Sequence, residues 1–151
     1  MCNLKLCCAL FLALALVVSA SCGKEPEEVS TTPKIEFVSI SPEQVVEYQD
    51  AVVIVIKYLD GDGDLGENNP SAKNLFVKDT RNNVSYSYRI SQLAPDSANI
   101  AIEGLLNIDL ANTAVIGSGN SEAVTFEVSV TDRAGHESNT VTTSPITVSK
   151  P

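Results

Sequence analysis

The chain has 151 residues but no tryptophan, one histidine and no cysteine after position 22. Its four cysteines are Cys2, Cys7, Cys8 and Cys22, so a domain that follows them has no internal disulfide. The single histidine, His136, has no second histidine or cysteine with which to hold zinc or form a catalytic pair. We therefore interpret His136 as an ordinary loop residue.

Positive charge is also scarce. Ten Lys and Arg residues stand against 19 Asp and Glu residues, which gives a formal net charge of −9. Such a surface repels nucleic acid and anionic lipid headgroups, and it attracts divalent cations. The composition therefore excludes nucleic acid as a partner, and solubility alone explains most of the negative charge.

Catalytic motifs are missing as well. The sequence shows no nucleophile–base pair and no phosphate-binding loop, and the segment GSGNS at 117–121 lacks the G-x-S-x-G order of a hydrolase elbow. Paired carboxylates can cleave glycosides, but three aspartates on one turn do not flank a sugar from two sides. We therefore predict that the protein is not an enzyme.

The N-terminal residues have the order of a secretory signal peptide. Residues 1–5 carry one positive charge, 6–18 form an unbroken apolar run, and 19–21 are small. The apolar run is well short of the roughly 20 residues that a membrane-spanning helix needs. The sequence therefore predicts a signal peptide over 1–21.

The residues that end this segment, Ser19-Ala20-Ser21-Cys22, resemble the lipobox of bacterial lipoproteins. That resemblance implies that Cys22 is lipidated, becomes the mature N-terminus and ties the protein to a membrane. Ser19 stands where lipoproteins most often have Leu, and Ser19 and Ser21 also suit ordinary signal peptidase. That alternative leaves a free thiol, which is a reactive liability outside the cell.

The next segment, 22–33, is rich in Glu, Pro, Ser and Thr and has no apolar periodicity. It is predicted to be a flexible tether with an r.m.s. reach of roughly 18 Å. Its acidic cluster at 24–28 resembles the surface-export signal of Bacteroidota-type lipoproteins, although a solvated linker also fits. We expect an outer-membrane lipoprotein on either the cell surface or the periplasmic face.

From 34 to 151 the sequence predicts one β-domain. The run AVVIVIKYL at 51–59 suits a central buried strand, and 84–90 and 124–130 alternate apolar and polar residues at the period of a half-buried strand. Further strands are predicted at 34–40, 74–78, 100–110 and 140–148, the last an edge strand because it contains Pro145. Seven to eight strands without a helical pattern indicate an immunoglobulin-like or fibronectin type III-like β-sandwich. The missing cysteine pair and tryptophan argue against an antibody-like domain.

One motif is a candidate metal site. The segment DGDGDLGE at 60–67 places three carboxylates within five residues directly after the strongest predicted strand. Their mutual repulsion is relieved by a hard cation, and Ca²⁺ takes six to eight oxygen ligands, with Mg²⁺ second. The segment is not an EF-hand, because Leu65 replaces the turn glycine and Ser71 replaces the bidentate Glu. The other ligands must come from elsewhere.

In a sandwich of this type the loops after the second and sixth strands emerge at the same end. Asp132 follows the predicted strand at 124–130 and should therefore face the acidic loop. The predicted Ca²⁺ ligands are Asp60, Asp62, Asp64 and Asp132, with Glu67 or the Gly66 carbonyl completing the shell. The alternative is an acidic turn without metal, partly neutralised by Arg133.

A strand running into DGDGDLG at 60–66, followed late in the chain by VTDRAGHESN at 130–139, resembles small uncharacterised Bacteroidota lipoproteins with an immunoglobulin-like fold. The resemblance implies an envelope location and a β-sandwich, and it brings no activity. The triplet Asp96-Ser97-Ala98 resembles an O-glycosylation acceptor of such proteins at Ser97, although a chance match also explains three residues.

The expected function is a non-enzymatic binding or structural module in adhesion or envelope assembly, with a protein or glycan partner that the sequence does not identify. The alternative is a glycan-binding accessory lipoprotein of a nutrient-uptake system. Glycan binding needs exposed aromatic side chains, and the chain has four Tyr and no Trp. Tyr86 and Tyr88 share one strand face, where packing is the simpler explanation.

Overall fold

The structure, a computed structural model, describes residues 29–111 and 113–151. The predicted signal peptide (1–21), the predicted lipidation site at Cys22 and the tether up to residue 28 lie outside the described residues and stay predictions. Among the described residues, no helix is long and apolar enough to cross a membrane.

The described residues fold into strands and contain no helix, so the all-β prediction is confirmed. The strands are β1 (Lys34–Ser41), β2 (Gln44–Val46), β3 (Val52–Asp60), β4 (Leu75–Asp79), β5 (Ser85–Tyr88), β6 (Ile102–Leu110), β7 (Ser121–Val124), β8 (Phe126–Val130), β9 (Val141–Thr142) and β10 (Ile146–Ser149).

These strands form three sheets. One has the order β1-β3-β6, a second has the order β5-β4-β8-β9, and a small third sheet has the order β2-β10-β7. The pairs are antiparallel except for β2 with β10, which run parallel. β3 lies at the centre of its sheet, as its apolar sequence predicts.

Alternation along β3 explains how the sheets share one core. Val52, Ile54, Ile56 and Tyr58 point inward and are buried, while the residues between them are half-buried or exposed. β-branched side chains suit this pleated, half-buried surface. Buried residues from all three sheets join β3 in a single hydrophobic cluster, which is compatible with a β-sandwich. Asp60 occupies the last inward position of the strand.

The predicted number of strands was too low. The sequence indicated seven to eight strands, and the described residues form about ten. The predicted strand at 124–130 extends back to 121 and is interrupted at Thr125, whose carbonyl accepts a hydrogen bond from Thr80 Oγ1 at 3.0 Å. The predicted strand at 140–148 is divided around Pro145: β9 is a sheet edge, but β10 lies between β2 and β7. Proline cannot donate to a ladder, which favours a break at that point.

The strands define two ends of the molecule. β3 ends, β1 begins and β6 begins at the Asp60 end, because Leu59 pairs with Lys34 and Asp60 pairs with Ile102. The opposite end, here called the Arg81 end, contains the turn after β4 and the loop that leads from β6 to β7.

Arg81 links two segments at its end of the domain. Its Nη2 lies 2.6 Å from Asp79 Oδ2, and its Nη1 lies 2.5 Å from Glu122 Oε1. Nη1 also donates to the Ala114 carbonyl at 2.9 Å, and Nη2 donates to Thr113 Oγ1 at 3.2 Å. One guanidinium therefore joins the β4 turn to the loop between β6 and β7.

Candidate metal centre

Asp60 is buried because it continues the inward row of β3. Its exposed fraction is 0%. Its Oδ2 accepts a hydrogen bond from the Leu65 backbone N–H at 2.9 Å, while its Oδ1 accepts none from any described residue. A buried polar atom without a partner is costly, so an ionised Asp60 requires a further source of positive charge.

Leu65 anchors the acidic loop to the core. Its side chain is fully buried and belongs to the hydrophobic cluster. Gly63 and Gly66 flank it with φ angles of +76° and +86°, a backbone conformation that glycine adopts without steric cost. The residue that rules out an EF-hand therefore gives this loop a different fixed shape.

Distant chain segments hold the loop backbone on two sides. The Gly61 N–H donates to the Ser30 carbonyl at 2.9 Å, and the Glu67 N–H donates to the Ile90 carbonyl at 3.0 Å. These neutral hydrogen bonds oppose any movement of the loop that would separate its charged side chains.

The segment after β8 covers the loop on a third side. The Arg133 N–H donates to the Asp64 carbonyl at 3.3 Å, and the Ala134 N–H donates to Asp64 Oδ2 at 3.0 Å. The Arg133 guanidinium donates through Nη1 to the Gly66 carbonyl at 2.7 Å. The two segments that sequence analysis expected to meet at one end of the domain are therefore in direct contact.

The three loop aspartates converge. One carboxylate oxygen from each of Asp60, Asp62 and Asp64 lies within 4.8 Å of the others. The Oδ1 atoms of all three are buried and accept no hydrogen bond from the described residues. Two oxygens bound to one Ca²⁺ at roughly 2.4 Å are separated by at most about 4.8 Å, so each pair of these carboxylate oxygens is close enough to share one ion.

The electrostatics of the cluster disfavour three charges without a cation. Burial raises the pKa of Asp60, and the charges of Asp62, Asp64 and Asp132 raise it further, against the lowering effect of the Leu65 N–H. Burial also raises the pKa of Asp64, followed by the charges of Asp132 and Asp62. Two unit charges about 4.8 Å apart repel by about 3 kcal/mol at an effective dielectric constant near 20.

Asp132 lies at the predicted end but outside the three-carboxylate cluster. Its Oδ1 accepts the His136 backbone N–H at 2.7 Å, and its Oδ2 lies 2.9 Å from His136 Nδ1. Both oxygens are thus engaged within a local turn. Asp132 contributes negative potential to the cluster, and His136 has a structural partner there.

The remaining predicted site residues are more peripheral. Glu67 is half-buried and is not part of the cluster, although its carbonyl accepts a hydrogen bond from Arg89 Nη1 at 3.2 Å. The Gly66 carbonyl already accepts from Arg133. Ser97 is exposed in a turn closed by the Ala98 N–H and the Pro95 carbonyl at 2.9 Å, so it is accessible to modification.

The tyrosine pair on β5 faces inward. Tyr86 pairs with Val77 and Tyr88 pairs with Leu75, both core residues, and both rings pack against the hydrophobic cluster. Both rings are half-buried, so packing against the core accounts for their shared face. Tyr48, which is 71% exposed, lies at the Arg81 end.

Sequence reasoning missed two contributors to the site. One is the Ser30 carbonyl, which belongs to the predicted tether, and the other is the bond from the Arg133 guanidinium to the Gly66 carbonyl, since Arg133 was expected only as a neutralising charge. The alternating glycines of the motif are the only sequence signal for such contacts, since glycine permits close backbone approach.

Comparison of the chain with protein-family models and with curated proteins found no match in either set.

The raised pKa values predict how pH changes the stability of the Ca²⁺-free protein. Above the ordinary Asp value of 3.8, folded Asp60 and Asp64 hold protons that the unfolded chain has released, and this contribution to stability is lost as pH rises through the raised pKa values. We expect wild type in EDTA to lose stability relative to Asp64→Asn as pH rises above about 4 and through the raised pKa of Asp64. Urea unfolding of both proteins across this range measures the difference, and a constant difference contradicts it.

Proposed function

We propose that the chain is a lipid-anchored cell-envelope module whose β-sandwich binds Ca²⁺ at the Asp60 end and acts in adhesion or envelope assembly. The observation that carries the Ca²⁺ proposal is the set of three buried carboxylate oxygens that accept no hydrogen bond from any described residue, next to a loop whose backbone is held by other segments. A cation is the simplest group that satisfies all three.

Asp60, Asp62 and Asp64 are the proposed ligands. Oxygen-only ligands and a site near the surface suit a hard cation, and water or backbone carbonyls supply the remaining positions of a six- to eight-fold shell. Asp132 and Arg133 act around the ion, Asp132 by its charge and Arg133 by holding the loop carbonyl of Gly66. The ion would stiffen one end of the domain.

The strand order supports an immunoglobulin-like or fibronectin type III-like topology. β1, β3 and β6 take the order of strands A, B and E, while β4, β8 and β9 take that of C, F and G, with β5 in the C′ position. In such sandwiches the loops at the two ends commonly carry the binding surfaces. A rigid body that presents end loops suits a non-enzymatic binding module.

The proposed anchor is the lipid on Cys22, supported by the apolar run at 6–18 and the small residues before the cysteine. The proposed location is the outer membrane, facing either the surface or the periplasm. Ser97 is a proposed O-glycosylation site, supported by its exposed turn.

Calorimetric titration of the mature chain tests the metal site. We expect Ca²⁺ to bind one site per chain, with Kd of about 10⁻⁴ to 10⁻³ M as in extracellular modules, and Mg²⁺ to bind more weakly. Asp62→Asn should weaken Ca²⁺ binding at least tenfold, because it removes one charged ligand and leaves the loop backbone bonds in place. The absence of binding heat in wild type would remove the Ca²⁺ proposal.

Cell fractionation tests the anchor. Wild type should sediment with membranes and take up labelled fatty acid, whereas Cys22→Ser should be exported, unlabelled and recovered in the soluble fraction. The substitution leaves the apolar run and the small residues intact, so export is preserved. Equal membrane association and labelling of both proteins would contradict lipidation at Cys22.

Glycan binding is the second candidate, and one observation favours it. The outer face of the sheet β5-β4-β8-β9 has a groove of about 460 Å³, lined mainly by polar side chains and by Phe76. Polar groups with one aromatic ring form a modest sugar site. A glycan array probed with wild type and Phe76→Ala separates this candidate from protein adhesion, since specific glycan binding lost in the variant supports it.

A further inference from the structure

Gly61 lies between two of the proposed ligands, Asp60 and Asp62, and the chain packs against it where the chain enters the domain. The Gly61 N–H donates to the Ser30 carbonyl at 2.9 Å. A Cβ added to Gly61 would lie 2.3 Å from the Val29 carbonyl oxygen and 2.5 Å from the Ser30 carbonyl oxygen. Only glycine allows this backbone contact. The acidic loop therefore forms one packed unit with residues 29–32, here called the entering segment.

We infer that the Val29–Ser30 segment is a structural part of the cation site, and that its docking and Ca²⁺ binding strengthen each other. The inference rests on the proposed Ca²⁺ binding. The Ser30 carbonyl fixes the peptide group that joins two ligand residues, so docking holds their carboxylates in place. Without an ion the charges of these carboxylates repel each other, and relief of that repulsion by loop movement strains the same hydrogen bond.

The entering segment is weakly held elsewhere, which makes it sensitive to this coupling. Val29 is 39% exposed, and residues 30–32 are exposed as well, whereas Pro33 is buried and β1 begins at Lys34. Release of residues 29–32 would lengthen the free connection by about 14 Å at roughly 3.5 Å per residue. Ca²⁺ would thus set how closely the domain is held to the segment that precedes it.

Thermodynamic linkage makes the coupling reciprocal. If docking raises Ca²⁺ affinity by some factor, Ca²⁺ raises the docking equilibrium by the same factor. Coupling of this kind typically changes affinity about five- to 150-fold, and a contact of two residues belongs at the lower end. Both directions of the effect are measurable.

Amide hydrogen exchange on the full mature chain tests one direction. Wild type is compared in EDTA and in saturating Ca²⁺, with the Gly61 amide, which donates to the Ser30 carbonyl, as the reporter. We expect Ca²⁺ to slow exchange of this amide about fivefold or more, because it closes the local opening through which the amide exchanges.

Gly61→Ala tests the other direction. Gly61 does not use a left-handed backbone conformation, so alanine suits its own backbone and the conflict is confined to the entering segment. All carboxylates remain, and we expect Ca²⁺ to bind about five- to tenfold more weakly, with no Ca²⁺-dependent protection of the amide at position 61. Gly119→Ala is the matched control, since its added Cβ meets nothing closer than 3.4 Å and Ca²⁺ affinity should be unchanged.

The outcomes separate this inference from the proposed function. Ca²⁺ binding with unchanged exchange of the Gly61 amide, or wild-type affinity in folded Gly61→Ala, overturns the inference and leaves the Ca²⁺ site standing. No Ca²⁺ binding by wild type overturns both. The exchange measurement on wild type needs no variant, so it decides the question even if Gly61→Ala does not fold.

Discussion

Asp62→Asn is expected to melt above wild type in EDTA and below wild type in saturating Ca²⁺. Without the ion, the substitution removes one of three converging charges and relieves repulsion with Asp60 and Asp64, which should raise the free energy of unfolding. With the ion at about 100-fold its Kd, wild type should gain about 2.7 kcal/mol, or roughly 10 °C for a domain of this size. The variant should gain little.

Asp109→Asn is the matched control, because Asp109 is an exposed aspartate near the end of β6, where it pairs with Val53 at the end of β3 away from the acidic loop. It removes the same charge and should change the free energy of unfolding by less than about 0.5 kcal/mol in both buffers. Thermal melts of the three proteins in EDTA and Ca²⁺ give the comparison. If Asp62→Asn lowers stability equally in both buffers, its carboxylate has a structural role and the cation proposal fails.

Much of the strand arrangement could be predicted because strong alternation and β-branched residues act locally. The run at 51–59 and the alternation at 84–90 and 124–130 all lie in observed strands, within a few residues. The interruptions were not predictable in the same way. The carbonyl of Thr125 leaves its ladder for a bond to Thr80, a residue 45 positions away, and no local pattern encodes that contact.

The candidate site, like the strands, could be predicted where it depends on residues that are close in sequence. Asp60, Asp62 and Asp64 are close in sequence, so a short glycine-containing turn necessarily brings them together. Contact with the segment after β8 followed from the expected topology, but the direction of the Asp132 side chain did not. A local bond to His136, four residues on, competes with the cluster for both carboxylate oxygens.

Arg81 was not predicted from the sequence to be important, yet its loss should be among the most destabilising changes in the domain. The Asp79 side chain is 2% exposed and binds the guanidinium through both oxygens, at 3.0 Å and 2.6 Å. Arg81→Leu leaves that carboxylate buried and uncompensated, which typically costs about 3–5 kcal/mol. We expect melting to fall by roughly 10–20 °C, measured by calorimetry or circular dichroism.

Lys78→Met is the control for Arg81→Leu, since the Lys78–Glu127 pair is 40% and 34% exposed and should contribute less than about 1 kcal/mol. Adding Asp79→Asn to Arg81→Leu should restore part of the lost stability, because no buried charge then remains. Equal losses of stability in Arg81→Leu and Lys78→Met would contradict a special stabilising role for the Arg81 contacts. Since Arg81 and the acidic loop lie at opposite ends and share no partner, Ca²⁺ should stabilise Arg81→Leu by as much as it stabilises wild type.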